Sequence, residues 1–239
     1  MLDNIKLQNI LFLDVETVPF SPSFSELPSA FQELWAEKTQ WQRKDDYSPE
    51  EYYGMKAGIM AEFAKIVCVS VGYLFEQDGE NHFRLKSFYG DDEKELLANF
   101  SALLTEKFNT KNHYLCAHNG KEFDYPLICR RMLIRGVSLP KILDLSGKKP
   151  WEVRHLDTME LWKFGDYKHY TSIKLLAALF DIPTPKDDID GSQVAHVYWQ
   201  EKDLERIKTY CQKDTLTVAQ ILLKYMGKEL ISTNNIEVA

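Results

Sequence analysis

The chain has no glycine-rich phosphate loop. Neither G-x-x-x-x-G-K-[ST] nor G-x-G-x-x-G occurs among its 239 residues, which argues against P-loop nucleotide hydrolysis and Rossmann-type dinucleotide binding. Cysteine is scarce: Cys68, Cys116, Cys129 and Cys211 are the only four, and no two are spaced C-x-x-C. Each sits in an apolar or helical context, so buried thiols are expected rather than disulfides or zinc ligands. No window approaches the ~20 apolar residues of a membrane span, and "MLDNIKLQNILFLD" lacks the basic flank and long apolar core of a signal peptide. The expectation is a cytoplasmic protein with no membrane contact. There is no internal repeat and no linker that would separate domains.

Positive charge is also in deficit, with 29 Lys and Arg against 36 Asp and Glu and a net charge of -7. At first sight that argues against a nucleic-acid partner. The deficit is uneven, however: residues 121–174 hold 11 Lys and Arg against 7 Asp and Glu. A local basic excess of this kind can face a polyanion, although a solvated surface explains it equally well.

A hydrophobic content of 44% suffices for a substantial core. "ILFLD", 10–14, reads as a short buried strand, followed by the Pro- and Ser-rich breaker "PFSPSFSELPS". Two helices are expected over 30–44 and 49–64, the second opened by the cap signal "SPEE". Trp35, Trp41, Tyr52 and Tyr53 in this region could stack on bases, but packing on the body of the protein is favoured. Residues 65–89 read as a hairpin around "EQDGEN", 91–108 as a helix, and "HYLCAHN" as a short strand. A helix is expected over 123–135, closed by Gly136. Residues 137–170 read as irregular, with a candidate strand at "VRHLDTM". "TSIKLLAALFDI" reads as a helix ended by Pro183, and "PTPKDDIDGS" as a polar loop. The last helical stretch, 193–226, is expected to break near Gln200, and the tail from about 228 to 239 to fray. Strands alternating with helices after a hairpin describe one α/β domain, a mixed sheet covered by helices.

The candidate chemistry lies in acids. Asp-x-Glu occurs four times, beginning at Asp14, Asp78, Asp91 and Asp203, and only the first directly follows an apolar strand. Alternation there sends Asp14 and Glu16 to one face. Asp124, in "AHNGKEFD", falls in the first turn of a helix, where an acid also suits the dipole. Tyr210 and Asp214, in "YCQKD", are four residues apart on one helix face. Each element alone has a purely structural explanation. Together, four carboxylates from two strand ends and a helix can converge on a pair of divalent cations, and an all-oxygen donor set suits Mg²⁺ or Mn²⁺ rather than zinc. Such a pair of ions stabilises the attacking and leaving oxygens of an in-line phosphoryl displacement.

In combination and order these motifs resemble the DnaQ-like exonucleases of the ribonuclease H-like fold, subclass DEDDy. "FLDVET" resembles the first exonuclease motif, "HNGKEFD" the second and "YCQKD" the third. The second is closest to the proofreading domain of family B DNA polymerases, and "TSIKLLAALFDIP" and "DGSQVAHVYW" resemble stand-alone relatives of that domain. The likeness spans about residues 8–226, with 19–64 a helical insertion lacking a counterpart. It implies a ribonuclease H-like mixed sheet flanked by helices on both faces. It also implies a single 3′ to 5′ exonuclease domain over 1–239 that releases nucleoside monophosphates from single-stranded DNA, free-standing or as a proofreading or repair partner. By the same resemblance Asp14 bridges two ions, Glu16 and Asp214 bind the one that activates water, Asp124 holds the other, directly or through water, and Tyr210 orients or helps deprotonate the nucleophilic water. Thr209 stands where the histidine subclass would carry His. Thr17, Asn119 and Phe123 match positions that contact the terminal nucleotide. An exoribonuclease of the RNase D kind, or a noncatalytic nucleic-acid-binding subunit, remains as an alternative. His118, His155, His169 and His196 have no metal-ligand spacing and read as structural or solvent-facing.

Overall fold

The computed structural model of the chain describes residues 2, 4–166, 168–183 and 189–239; the expected loop over 183–192 therefore lies partly outside the described residues. Strand β1 (Ile10–Pro19) is the centre of the fold. It pairs antiparallel with β2 (Ala64–Gln77), which turns back into β3 (Glu80–Tyr89). Asp78 and Gly79 make that turn with φ of 53° and 81°, the two positive values that a tight hairpin turn compatible with strand twist requires. On the other side β4 (Tyr114–Ala117) runs parallel to β1, and β5 (Leu156–Asp157) parallel to β4. With β6 (Ile236–Val238) the six-stranded order is β5-β4-β1-β2-β3-β6, so the sheet is mixed, as the sequence pattern anticipates.

Alternation along β1 explains the layers. Leu11, Leu13 and Val15 point into the core beneath α3 (Glu93–Lys107) and α4 (Asp124–Arg135). Ile10 and Phe12 point the opposite way, onto Val218, Ala219, Leu222 and Leu223 of α8 (Leu204–Tyr225). Helices thus cover both faces. The buried strand is longer than the pattern "ILFLD" suggests: β1 runs on to Pro19 with a bulge between Glu16 and Thr17, and its acids sit within the strand rather than at its tip. Pairing with β2 continues past the apolar run and holds this extension.

Between β1 and β2 lie α1 (Ser29–Arg43) and α2 (Pro49–Lys56). Ser48 and Glu51 form a complete capping box, which starts α2 where "SPEE" indicates. The helix ends at Lys56, short of the expected 64, giving way to a 3₁₀ turn over Ala57–Ile59. Trp35 is fully buried, its ring centroid 4.9 Å from Phe63 and 5.3 Å from Tyr53. Tyr52 and Tyr53 are buried with it, whereas Trp41 is 87% exposed. The expected packing role therefore describes three of the four aromatics. Two short contacts tie this insertion to β1 and its end: the Thr17 hydroxyl donates to Gly58 O at 2.6 Å, and Phe20 N–H to Phe63 O at 2.7 Å.

The segment expected to be irregular contains β5 and a short helix, α5 (Thr158–Lys163), which Asp157 caps. Then follow α6 (Ile173–Leu179) and α7 (Val194–His196), the latter passing into a π-helical turn over Val197–Glu201. Lys202, at φ 59°, ends that turn and makes the expected break before α8. The tail does not fray. β6 (Ile236–Val238) adds to the sheet parallel to β3, the Arg84 guanidinium donates to Glu237 at 2.8 and 2.6 Å, and buried Ile231 exchanges two hydrogen bonds with the Gln220 amide. Its polarity conceals an edge strand held by an ion pair and one buried isoleucine. Of the four thiols, Cys68, Cys116 and Cys211 are buried and Cys129 is half-buried. No helix among the described residues is long and apolar enough to cross a membrane.

Candidate active site

The alternation that puts Phe12 against α8 also puts Asp14 and Glu16 on that face. Register completes the placement, since Asp14 lies opposite Ser70 and Glu16 opposite Cys68 on β2. The α8 face above them presents Tyr210, Cys211 and Asp214. Cys211 Sγ donates to Asp14 O at 3.4 Å, and Thr215 Oγ1 donates within the helix to Cys211 O at 2.9 Å and to Ser70 O at 3.3 Å. These bonds fix the helix across both strands.

The third arm comes from the β4–α4 loop. Asn119, at φ 63°, adopts the left-handed conformation that Asn tolerates better than most residues. Its carbonyl accepts from Glu122 N–H and Phe123 N–H at 3.2 and 3.0 Å, turning the chain into α4 so that Asp124 is the first helical residue. Buried Asp157 secures the loop from below: Oδ1 accepts from Asn119 N–H at 3.0 Å and Oδ2 from Lys121 N–H at 3.0 Å, while Oδ1 also takes Met159 N–H and Glu160 N–H at the start of α5. Gly120 is required here, because a Cβ would meet Ala117 Cβ at 2.5 Å and the Tyr125 ring at 2.9 Å.

The carboxyls share one field. Burial pushes Asp14 up to about 6, partly offset by hydrogen bonds from Cys211 and its neighbours. Burial raises Glu16 well above the usual range, and the charges of Asp14, Asp214 and Asp124 add to it. Burial again, then Asp14, raises Asp124. Asp14 as a whole is half-buried, yet its Oδ2 is sealed from solvent and has no hydrogen-bond partner. A buried carboxylate oxygen without a partner among mutually repelling acids is costly for the protein alone. Cationic ligands would remove the cost, so the donor set fits divalent cations.

Tyr210 is buried, and its hydroxyl is driven far above its ordinary range by burial, by the charges of Asp214, Glu16 and Asp14, and by its hydrogen bond to Asp214. In the metal-free protein it therefore stays a proton donor at neutral pH. The sequence gives no sign that Cys211 joins this cluster, yet its Sγ, one oxygen of Asp14 and one of Glu16 lie within 4.8 Å of one another. Burial and the surrounding thiol and carboxylates push the Cys211 thiol well up, which keeps it a neutral filler beside hard oxygen donors. Burial, then the charge of Asp124, raises the hydroxyl of Tyr170, a largely exposed residue.

The remaining candidates divide. Asn119 Oδ1 is buried and has no hydrogen-bond partner, leaving an acceptor beside the acid cluster. Phe123 packs partly on the core under α4. The Thr17 hydroxyl donates to Gly58 O, and its backbone lies opposite Ile66 just after the bulge. His118 bonds Thr158 and the Thr171 carbonyl, and His155 is buried against Ile142 O; both are held structurally. His169 and His196 are exposed beside Asp166 and Glu201.

The mixed sheet with helices on both faces is the α/β architecture of a ribonuclease H-like exonuclease. A family described as "predicted 3'-5' exonuclease related to the exonuclease domain of PolB" matches residues 59–234, and the chain belongs to it. The match contains Asp124, Tyr210 and Asp214 but begins after β1, so Asp14 and Glu16 reach it through the β1–β2 pairing. Among curated proteins compared with the chain, none matches.

Proposed function

We propose that the chain is a metal-dependent 3′ to 5′ exonuclease of the DEDDy type within the DnaQ-like group, acting in the cytoplasm as a single domain. It releases nucleoside monophosphates from single-stranded DNA ends during proofreading or repair. One observation carries the reading: Asp14, Glu16, Asp124 and Asp214 act on one another's charge beside Tyr210, and a buried oxygen of Asp14 has no partner. Family membership supports it independently.

Asp14, Glu16, Asp124 and Asp214 would hold two Mg²⁺ or Mn²⁺ ions. When bound, such ions supply Lewis-acid polarisation and neutralise charge developing in an in-line phosphodiester displacement. The protein's part is positional. Burial keeps the Tyr210 hydroxyl protonated, so it donates to Asp214 or to a water near Asp214 and sets the direction of attack. Asn119 Oδ1 would accept from the terminal nucleotide, and the apolar edge of Phe123 and the main chain of Thr17 would limit where its sugar sits. Water attacks phosphorus, the P–O3′ bond breaks, and the departing strand keeps its 3′ oxygen.

The test is product analysis of end-labelled single-stranded DNA, duplex DNA and RNA with Mg²⁺ and with EDTA. The expected result is metal-dependent loss of mononucleotides from the 3′ end of single-stranded DNA. Shortening from the 5′ end, or persistence in EDTA, overturns the reading. Preference for RNA replaces it with the exoribonuclease alternative, and binding without any product replaces it with the noncatalytic one.

A further inference from the structure

The basic excess within residues 121–174 has a definite place. A pocket of about 180 Å³ at the start of β4 is lined by Lys111, Lys141, Lys148 and Arg154 with His113 and His155, and by no acid among the described residues. A second, of about 390 Å³ along α4, is lined by Lys121, Arg130 and Lys148 over an apolar floor that includes Leu143 and Leu145, again without an acid. Lys148 and Leu145 belong to both, so the two are one surface.

That surface leads to Asn119. Lys121 also lines a third pocket, of about 330 Å³, whose wall contains Asn119 and the exposed indole of Trp151. This connecting groove holds two lysines against Glu122, Asp157, Glu160 and Asp166, with Lys121 paired to Glu160 at 2.5 Å and Lys163 to Glu122 at 3.8 Å, so a strand's phosphates would be held beyond it rather than in it. Beyond it Lys111, Lys141, Lys148 and Arg154 are all exposed, and none forms an ion pair with a carboxylate among the described residues, whereas the charge of exposed Arg130 acts on Glu62. Arg154 is held in place, donating to His113 O at 2.7 Å and lying 4.5 Å over the Tyr114 ring. The fields of Arg154, Lys148 and Lys121 all reach His155, adding to the burial that already lowers it. In a chain of net charge -7, such a concentration of unneutralised cations is a specific feature.

We propose that this acid-free surface is a second nucleic-acid contact: a track that holds the sugar-phosphate backbone of the single strand several nucleotides behind its 3′ end. The inference rests on the nuclease reading for the identity of the strand. Charge complementarity and continuity with Asn119 favour a polynucleotide. Apolar residues between the cations suit the sugars and bases of a flexible strand.

The test compares wild type with the triple variant Lys111→Ala, Lys141→Ala, Lys148→Ala, all surface positions outside the acid cluster, after thermal melting has shown equal stability. Fluorescence anisotropy with an oligodeoxynucleotide of about twenty residues is measured in EDTA over a series of KCl concentrations. Hydrolysis of the same oligonucleotide and of a dinucleotide is measured with Mg²⁺. The variant is expected to bind the longer strand about tenfold more weakly at low salt, with the slope of log affinity on log salt smaller by about 2, as three lost single-strand phosphate contacts imply. Its kcat/KM on the dinucleotide stays within about twofold of wild type, because so short a substrate does not reach the track. Unchanged affinity and salt slope overturn the track while leaving the nuclease reading intact. Lost binding by the variant, with no hydrolysis by wild type, overturns the nuclease reading and leaves the track. Tighter wild-type binding of a poly-glutamate peptide than of the oligonucleotide assigns the surface to an acidic protein partner and overturns the proposal.

Discussion

Asp14 and Glu16 stand on one face of β1, and the charge of Asp14 reinforces the burial that holds Glu16 protonated above the ordinary carboxyl range. For Asp14 the linkage has a definite sign. Its folded value is about 6 against an ordinary 3.8, so below pH 4 it is protonated folded or unfolded and costs nothing. As pH rises from about 4 to 6 the unfolded chain has released its proton while the folded chain still holds it, and over that window the metal-free protein loses stability on the order of 3 kcal/mol. Asp14→Asn is therefore predicted to melt roughly 6–12 °C higher than wild type in EDTA at pH 8, and at the same temperature as wild type at pH 4. Its Mg²⁺-dependent nuclease rate falls by on the order of 10³. Calorimetry at the two pH values with an activity assay checks both; a destabilised Asp14→Asn at pH 8 contradicts the electrostatic account.

Divalent cations should reverse the same penalty. Ligation requires Asp14, Glu16 and Asp124 ionised, so it releases protons and strengthens with pH. Millimolar Mg²⁺ is predicted to raise the melting temperature clearly at pH 8 and much less at pH 5, the difference vanishing with EDTA. Titration calorimetry in buffers of different ionisation enthalpy would detect the released protons. Heat signals independent of buffer would remove the carboxyls from the binding step.

The parts legible in the sequence were those with a local physical signature. The period-2 face of "ILFLDVET", the Tyr210/Asp214 helix spacing and the Gly136 stop depend only on near neighbours. The same logic could not tell which Asp-x-Glu mattered in any other way: Asp91-x-Glu93 turns out to serve a buried ion pair. Cys211 sits beside Asp14 because β1 and α8 pack across 197 residues of sequence, and no local pattern encodes that. The tail was misread because its hold comes from Gln220 and Arg84, distant side chains that make a polar segment into β6. Family likeness, rather than periodicity, linked the three acidic motifs.

Tyr210 offers a sharper kinetic test than the acids. Its hydroxyl is raised too far to ionise at working pH, so it can orient water or share a proton but contributes no ascending limb to the pH profile. Tyr210→Phe is predicted to lower kcat by about 10²-fold, at the low end for a positioned proton donor, with KM and Mg²⁺ affinity within about threefold. A steep rise of wild-type activity between pH 9 and 10 that Tyr210→Phe abolishes would instead make the phenolate the active form.

Glu93 and Arg131 are a structural matter separate from the site. Both are buried; Glu93 Oε1 accepts from Ile66 N–H and Arg131 Nε at 2.8 Å each, and Oε2 from the Arg131 guanidinium at 2.5 Å. Arg135 Nε lies 2.7 Å from the same Oε2 but is not aligned to donate. Removing one partner of such a pair leaves an uncompensated charge in the core. Glu93→Ala is predicted to cost about 3–5 kcal/mol in chemical denaturation, and the double change Glu93→Leu with Arg131→Met markedly less. Equal losses for both variants would assign the stability to packing alone.

Asp157 links stability and activity in the opposite proportion. Its carboxylate takes the N–H groups of Asn119, Lys121, Met159 and Glu160, so it sets the path of the loop that presents Asn119 and starts α4 at Asp124. Asp157→Asn keeps the shape but turns an amide N–H toward donors that need an acceptor, at a cost of about 1–3 kcal/mol. A shift of the loop by even a fraction of an ångström moves Asn119 Oδ1 relative to the acids, and misplacement of that size costs catalysis more than folding. The variant is predicted to remain folded at 25 °C with KM for oligonucleotide raised and kcat reduced by about 10-fold or more, while Mg²⁺ affinity falls less, because of the four carboxyls only Asp124 follows the shifted loop. Equal proportional losses in stability and Mg²⁺ affinity with unchanged KM would show Asp157 to be a helix cap and nothing else.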